Sequence, residues 1–124
     1  MRVVMVESTA KKVVFLRLAV RQLKLSAVSV VAERYERLSD RAAFHETFDA
    51  IVARAIRIAP EQLPLLADFL RPEGSLYLFA TEGRSSIDKT RVSLTSAPLL
   101  SNLNSELIRI TKGSIGQMTK DKAI

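Results

Sequence analysis

The sequence predicts an α/β fold built on a mostly parallel sheet. Three observations carry this. Short apolar runs rich in β-branched residues recur at Val3 to Val6, Ser26 to Val31, Phe48 to Ala53 and Ser75 to Ala80. Stretches of helical period separate the first two and the last two of these runs. Continuous apolar runs, rather than strict alternation, mark strands buried on both faces. Strand–helix alternation through residue 80 therefore argues for a parallel sheet with helices on both faces.

The elements follow in order. Val3 to Val6 is a candidate buried strand, ended by Glu7 and Ser8. Thr9 to Leu25 reads as a helix: Val13, Leu16, Val20 and Leu23 form one stripe with Phe15 and Ala19 beside it, and Lys12, Arg17, Arg21 and Lys24 surround it. Ser26 to Val31 is a second strand, and Glu33 to Leu38 has room for one helical turn. Phe48 to Ala53 is a third strand. Pro60 opens the next helix, as proline can in a first turn, with apolar positions Leu63, Leu66, Ala67 and Leu70. Arg71-Pro72-Glu73-Gly74 has turn punctuation, and Ser75 to Ala80 is a fourth strand. Gly83 to Asp88 reads as loop. Arg91 to Thr95 and Glu106 to Ile110 are expected to close the sheet as an antiparallel pair. Residues 1–112 are expected to form one partial domain, with 113–124 as a flexible tail.

Bulk properties narrow the function classes. The chain has 124 residues, enough for one domain. It has no cysteine, which removes disulfides, thiolate zinc sites and cysteine nucleophiles. One histidine, His45, cannot build a multi-histidine metal centre, and it reads as a surface residue of a polar loop. No apolar run approaches the roughly 20 residues a membrane span needs, and the N-terminal run is too short for a signal peptide. A cytoplasmic protein is expected. The formal charge is +6. Residues 1–40 carry eight Lys/Arg against four Asp/Glu, and residues 84–124 carry seven against three. The middle stretch, 41–83, carries four against six. Basic ends favour polyanions through counterion release, although many small proteins are mildly basic without binding any.

In parallel α/β folds ligands bind beyond the carboxyl ends of the strands, so the residues just after each strand matter most. Glu7 could accept both hydroxyls of a ribose, or simply sit near a helix N-terminus where the dipole favours an acid. Lys11 and Lys12 lie in a first helical turn, the end that disfavours cations. They either face a polyanion or are a solvated pair. Arg34, Tyr35 and Glu36 could frame an adenine edge or form an ordinary surface turn. Arg54 follows the third strand directly. Its planar guanidinium could hold a carboxylate or phosphate, or pair with Asp49 or Glu7. Tyr77 and Phe79 share one strand face and are most simply core.

The order of pieces VESTAKKVVFLR, VVAERYERL, FDAIVARA and LRPEGSLYLF resembles the glucose-inhibited division protein B family. The resemblance covers roughly residues 3–83, with a weaker likeness at PLLSNLNSELIRI. It implies a Rossmann-like class I methyltransferase sheet and an S-adenosyl-L-methionine-dependent enzyme. The implied reaction places a methyl on guanine N7 of 16S ribosomal RNA. Glu7 matches the acid that holds the ribose. Tyr35 and Glu36 match the pair beside the adenine. Arg54 matches the arginine of the family's Ser-Arg-Ala motif, here Ala53-Arg54-Ala55. Lys11, Lys12 and Arg17 match a basic helix, the expected contact for ribosomal RNA.

The chain also departs from that pattern. Family members carry an N-terminal helical region, then a strand and a Gly-rich loop beside the methionine portion of the cofactor. Only four glycines occur here, the first at Gly74. The usual first strand sits centrally in the family sheet, between the strands represented by Val3–Val6 and Phe48–Ala53. Without it these two either pair directly or leave edges for another chain. Glu82 stands where the family commonly has lysine, and an acid there would repel RNA.

Guanine N7 is an unprotonated acceptor at the major-groove edge, so the implied transfer needs no general base, only alignment and exclusion of water. No residue is singled out as catalytic, and no metal is expected. A non-catalytic basic Rossmann-like module that binds RNA or a partner is the second reading, and an unrelated nucleotide-binding or regulatory domain the third.

Overall fold

A computed structural model describes residues 1–54, 58–81, 95–98 and 105–116. The chain divides into two compact units, Met1–Ala42 and Ala43–Ile124.

The first unit is a βαβ unit. Strand β1 (Val3–Glu7) leads into helix α1 (Ala10–Gln22), which returns to strand β2 (Val28–Ala32) and the short helix α2 (Tyr35–Leu38). The strands are parallel, in register from Val3 opposite Val28 to Glu7 opposite Ala32. Val13 of α1 is buried, with Leu16, Ala19 and Val20 half-buried. Leu38 is buried at the end of α2.

The helix is shorter than its periodicity suggests. Lys24 takes a left-handed conformation, φ 52°. Its N–H donates to the Arg21 carbonyl at 3.2 Å, and Leu25 N–H donates to the Val20 carbonyl at 3.0 Å. This paired closure is a Schellman motif, and its left-handed position usually holds glycine. The chain therefore turns before Leu23, expected on the buried stripe, reaches any core; Leu23 is exposed.

The second unit holds strand β3 (Phe48–Arg54), a 3-10 turn at Pro60–Gln62, helix α3 (Leu63–Phe69), and strands β4 (Leu70–Thr81), β5 (Thr95–Pro98) and β6 (Ser105–Thr111). The sheet order is β3-β4-β6-β5. β3 and β4 are parallel, whereas β6 runs antiparallel to both β4 and β5. The α/β class, the parallel pairs β1–β2 and β3–β4 and the antiparallel C-terminal pair are as the sequence predicts, but the strands form a two-stranded parallel sheet and a four-stranded mixed sheet rather than one mostly parallel sheet. β5 begins at Thr95; residues 91–94 and the predicted loop Gly83–Asp88 lie outside the described residues. β1 and β3 fall in separate sheets, so the direct pairing allowed from the sequence does not occur.

The core of this unit is one face of the sheet. Leu76 and Leu78 are buried and lie opposite Ile110 and Ile108, also buried, while Ala53 pairs with Leu78. Leu63, Leu66, Ala67 and Phe69 of α3 are buried as well, and α3 contacts β4. Tyr77 and Phe79, expected in the core, alternate onto the other face and are only half-buried. Leu70, expected as the last helical position, instead starts β4 and is fully buried.

The stretch 71–74, expected as a turn, lies within β4. Register jumps there from Phe48 opposite Leu70 to Ala50 opposite Ser75. The extra residues bulge opposite Asp49, whose carboxylate pairs with Arg71 at 2.9 Å. Gly74 closes the bulge: a Cβ there would lie 3.0 Å from Leu70 Cβ and 3.1 Å from the carbonyl oxygens of Arg71 and Asp49. The segment before β3 is pinned to the same place. Glu46, at φ 46°, donates its N–H to the Asp68 carbonyl at 2.8 Å. Lys112 Nζ donates to both Glu46 Oε1 (2.9 Å) and the Leu70 carbonyl (2.8 Å). That hydrogen bond and charge hold the Glu46 carboxyl below its ordinary range. Of the expected tail, residues through 116 continue as a helical turn with Ile115 buried. Ser114 N–H donates to Thr111 Oγ1, capping this turn. Residues 117–124 lie outside the described set.

Two stability changes are expected, both checked by chemical denaturation. Gly74→Ala must displace backbone as well as Leu70, so it should lower stability by about 1–3 kcal/mol. Lys24→Gly removes the left-handed strain at the helix end and should raise stability by about 0.5–1 kcal/mol despite the freer unfolded chain.

Candidate functional site

The carboxyl ends of β1 and β2 lie side by side. Glu7 ends β1, and its carbonyl accepts the N–H of Glu33, the residue after β2, at 3.1 Å. This bond extends the parallel ladder one residue past the strands. It brings Glu7 and the stretch Glu33–Glu36 to neighbouring strand ends in one unit.

Each acid there also serves a neighbouring backbone group. Glu7 Oε1 accepts the N–H of Thr9 at 3.1 Å, and Thr9 is the N-cap of α1. Thr9 makes no capping bond with its own side chain, so the glutamate supplies that acceptor. No other carboxylate partner of Glu7 occurs among the described residues. Glu33 was not singled out by the sequence reading. Its Oε1 accepts the N–H of Arg34, the N-cap of α2, at 3.0 Å, and lies 4.0 Å from an Arg37 nitrogen. Its signal was visible: it stands one residue after β2, much as Glu7 closes β1.

Tyr35 opens α2. Its hydroxyl oxygen is buried and has no partner at ordinary hydrogen-bond geometry, while the Glu36 carboxylate lies close enough to act on it. Burial raises the phenol above its ordinary range, and the adjacent Glu36 carboxylate adds to the effect. A buried polar atom without a partner is costly unless a ligand supplies one. Glu36 is exposed.

Lys11, Lys12 and Arg17 are all exposed on α1, whose first turn holds no acid. The Glu7 carboxylate just before the helix is the acid at this end, which otherwise disfavours the lysine pair.

Arg54 belongs to the second unit. It is the last residue of β3, exposed, opposite Phe79. The ion pair allowed with Asp49 is not formed, because Asp49 holds Arg71. No partner of Arg54 occurs among the described residues. His45 is exposed, as expected. Glu82 and Gly83 lie outside the described residues. Among the described residues no cluster of His, Cys, Asp or Glu could hold a metal ion, and no helix is long and apolar enough to cross a membrane.

The fold recurs in solved structures of low sequence similarity. A Haemophilus influenzae protein described as a methylase superposes with a TM-score of 0.66 at 13% identity, covering 90% of this chain and 72% of that one. A Streptococcus mutans protein described as a methyltransferase and solved with SAH gives 0.62 at 13% identity, over 89% and 75%. An MtNAS variant solved with S-adenosylmethionine gives 0.65 at 12% identity, over 90% and 45%. These likenesses show a Rossmann-like methyltransferase fold. In sequence, the "Ribosomal RNA small subunit methyltransferase G" of Rubrobacter xylanophilus is 45% identical over 71 residues, 57% of this chain and 26% of that protein. The Desulfitobacterium hafniense protein of the same name is 29% identical over 122 residues, 98% of this chain and 49% of its own length. The Deinococcus deserti one is 33% identical over 111 residues, 90% and 45%. The chain thus spans at most about half the length of these curated relatives. The family described as rRNA small subunit methyltransferase G matches residues 1–112, and the chain belongs to that family, GidB.

Proposed function

We propose that the chain carries the adenosine-binding part of an S-adenosyl-L-methionine-dependent methyltransferase whose substrate is guanine N7 in small-subunit ribosomal RNA. The observation that carries this reading is the backbone bond that joins Glu7 to Glu33 at the strand ends, two residues before Tyr35 and its buried hydroxyl. Family membership and the cofactor-bound neighbours add support.

The residues present fit the adenosine end of that cofactor. Glu7 offers a carboxylate that can accept ribose hydroxyls. Tyr35 offers an unsatisfied hydroxyl and a ring beside the base, with Glu36 next to it. In the second unit, Arg54 separately offers a guanidinium suited to the carboxylate of the methionine end. The cofactor supplies a methyl carried on a sulfonium. The chain's own task is to bind and orient, because N7 attacks through a lone pair and releases no proton. Beyond Arg54 the methionine end has no comparable support among the described residues: Gly74 closes a sheet bulge rather than a ligand loop. Residues 1–112 act in this reading as part of one methyltransferase domain. Lys11, Lys12 and Arg17 form the RNA-facing surface, and the working compartment is the cytoplasm.

A second reading, a non-catalytic basic module that binds RNA, is favoured by one observation. The exposed Lys11–Lys12 pair stands in a first helical turn that holds no acid of its own.

Calorimetry separates these readings. S-adenosyl-L-methionine should bind the isolated chain with a dissociation constant above about 100 μM, worth less than roughly 5.5 kcal/mol. Glu7→Gln should weaken it about tenfold or more, as loss of a charged hydrogen bond does. Low-micromolar affinity abolished by Arg54→Ala would overturn the expected weakness and show that no Gly-rich loop is required. Binding that Glu7→Gln leaves intact would remove Glu7 from the site.

RNA binding should weaken steeply with salt. Replacing Lys11, Lys12 and Arg17 together should reduce the salt slope by about 2–3, near one per lost phosphate contact. An affinity unchanged between low and physiological salt would refute the RNA surface.

A further inference from the structure

Glu33 joins the two elements that carry the candidate site. Its backbone N–H donates to the Glu7 carbonyl at the end of β1, at 3.1 Å. Its own Oε1 accepts the N–H of Arg34, the N-cap of α2, at 3.0 Å. Both distances are ordinary for N–H to oxygen. One residue thus holds the end of β1 with its main chain and the start of α2 with its side chain.

Helix α2 needs such a hold. It has four residues, and Arg34 makes no capping bond with its own side chain. A single turn fixes several backbone angles for little hydrogen bonding, so propensity alone does not sustain it. Its far end is anchored by Leu38, which is buried. At its near end the side-chain acceptor is Glu33. The Arg37 nitrogen, 4.0 Å from the same carboxylate, belongs to a mostly exposed side chain, and a pair of that kind contributes little. Glu33 is half-buried, whereas Arg34, Glu36 and Arg37 around it are exposed.

Tyr35 follows the held N–H directly. Its hydroxyl has no partner at ordinary geometry, so the placement of the ring follows from the backbone rather than from a bond at its tip. Glu7 makes the same kind of bond at the other strand end, where its Oε1 accepts the N–H of Thr9, the N-cap of α1. The two acids therefore fix the starts of both helices that follow the parallel pair.

We propose that Glu33 is a positioning residue: by holding the Arg34 N–H at the end of the strand ladder, it sets Tyr35 and Glu36 level with Glu7, so that the base and the ribose of one ligand are held together. The role rests on the adenosine reading. Glu33 acts through the backbone of α2 rather than by touching the ligand. A cap that served stability alone would lower the denaturation midpoint and leave Tyr35 and the ligand as they were.

The test uses the full chain. Tyr77→Phe, in the second unit, leaves Tyr35 as the only one of the two tyrosines, so a single ring-carbon NMR signal follows its phenol with pH. Glu33→Met keeps the length of the side chain and lacks the oxygen acceptor. Glu33→Gln keeps an oxygen that can accept the Arg34 N–H. In Glu33→Met the phenol should titrate closer to its ordinary range, because a displaced Tyr35 loses burial. Glu33→Gln should restore the signal of the unsubstituted chain. S-adenosyl-L-methionine, titrated to millimolar concentration, should bind Glu33→Met at least about fivefold more weakly, since misplaced contacts lose their geometry. Glu33→Gln should bind within about twofold of the unsubstituted chain, its acceptor being retained. Circular dichroism checks that both variants remain folded, and Glu33→Ala should behave as Glu33→Met does.

A phenol signal or an affinity that Glu33→Met leaves unchanged, with only the denaturation midpoint lowered, would overturn the inference and leave Glu33 a plain cap. Failure of Glu33→Gln to restore both would overturn it as well, by assigning the effect to charge instead of the acceptor. A chain that binds no S-adenosyl-L-methionine would overturn the adenosine reading alone, and the phenol signal then decides the hold of Glu33 on Tyr35 by itself.

Discussion

The parallel register that sets Glu7 opposite Ala32 is the constraint on which the candidate site depends. Strand side chains alternate, so a slip of one residue would move Glu7 to the other face and carry Val3 and Met5 with it. The register is held from both sides. The Val3–Ala27 and Glu33–Glu7 backbone bonds close the ladder at its two ends, and Val13 buries against the pair through the α1–β2 and α1–β1 contacts. Because Glu33 follows β2 at the same level, fixing Glu7 also fixes the start of α2 and hence Tyr35. The acid and the buried hydroxyl are therefore products of one register rather than two separate placements.

The acids at this end serve structure, and in the proposed reading a ligand as well. Glu7 accepts the Thr9 N–H and Glu33 accepts the Arg34 N–H, both at helix starts where the dipole favours negative charge. From sequence the capping role and the binding role of Glu7 looked like alternatives. In the structure only one oxygen, Oε1, is recorded in the cap, and the other is available to a donor. A carboxylate oriented by a backbone bond is also better prepared to bind, since less side-chain freedom remains to be lost. The lysines of α1 follow the opposite logic. They sit where the dipole opposes them, in a first turn that holds no acid, with the Glu7 carboxylate just before the helix.

The strands, the register and the Glu7–Tyr35 neighbourhood were readable because they depend on local apolar runs and on the rule that parallel strands put ligands at their carboxyl ends. What was not readable depends on backbone conformation or on partners distant in sequence. The left-handed Lys24 ends α1 early, although nothing in its type signals a helix stop, and so Leu23 misses the core. Leu70 fits a helical stripe, yet its neighbours force an extended chain that the Asp49–Arg71 pair and Gly74 then absorb as a bulge. Tyr77 and Phe79 share a face with each other, but periodicity alone could not say which face of β4 is buried; the packing of Leu76 and Leu78 against Ile110 and Ile108 decides that. Phe15 read as part of a buried stripe because apolar residues ring α1, yet it is exposed. Glu33 was missed because attention fell on the residues inside α2 rather than on the one preceding it.

The chemistry proposed for the family explains why the titratable groups stand out so little. Transfer of a methyl to a nitrogen lone pair asks for donors and acceptors in fixed positions, and no group needs to exchange a proton near neutrality. The two clear pKa displacements agree with that. Glu46 is drawn down by Lys112 in a structural clamp, and Tyr35 is driven up by burial, which keeps its hydroxyl a neutral donor and acceptor. A site of this kind is best recognised by unsatisfied hydrogen-bonding capacity. Here that criterion selects, among the described residues, Tyr35 in the first unit and Arg54 in the second. A neutral hydroxyl beside a carboxylate suits sugar and base edges, while an unpaired guanidinium suits an anion. The two units thus present different polar chemistry at strand carboxyl ends, and each can be tested without the other.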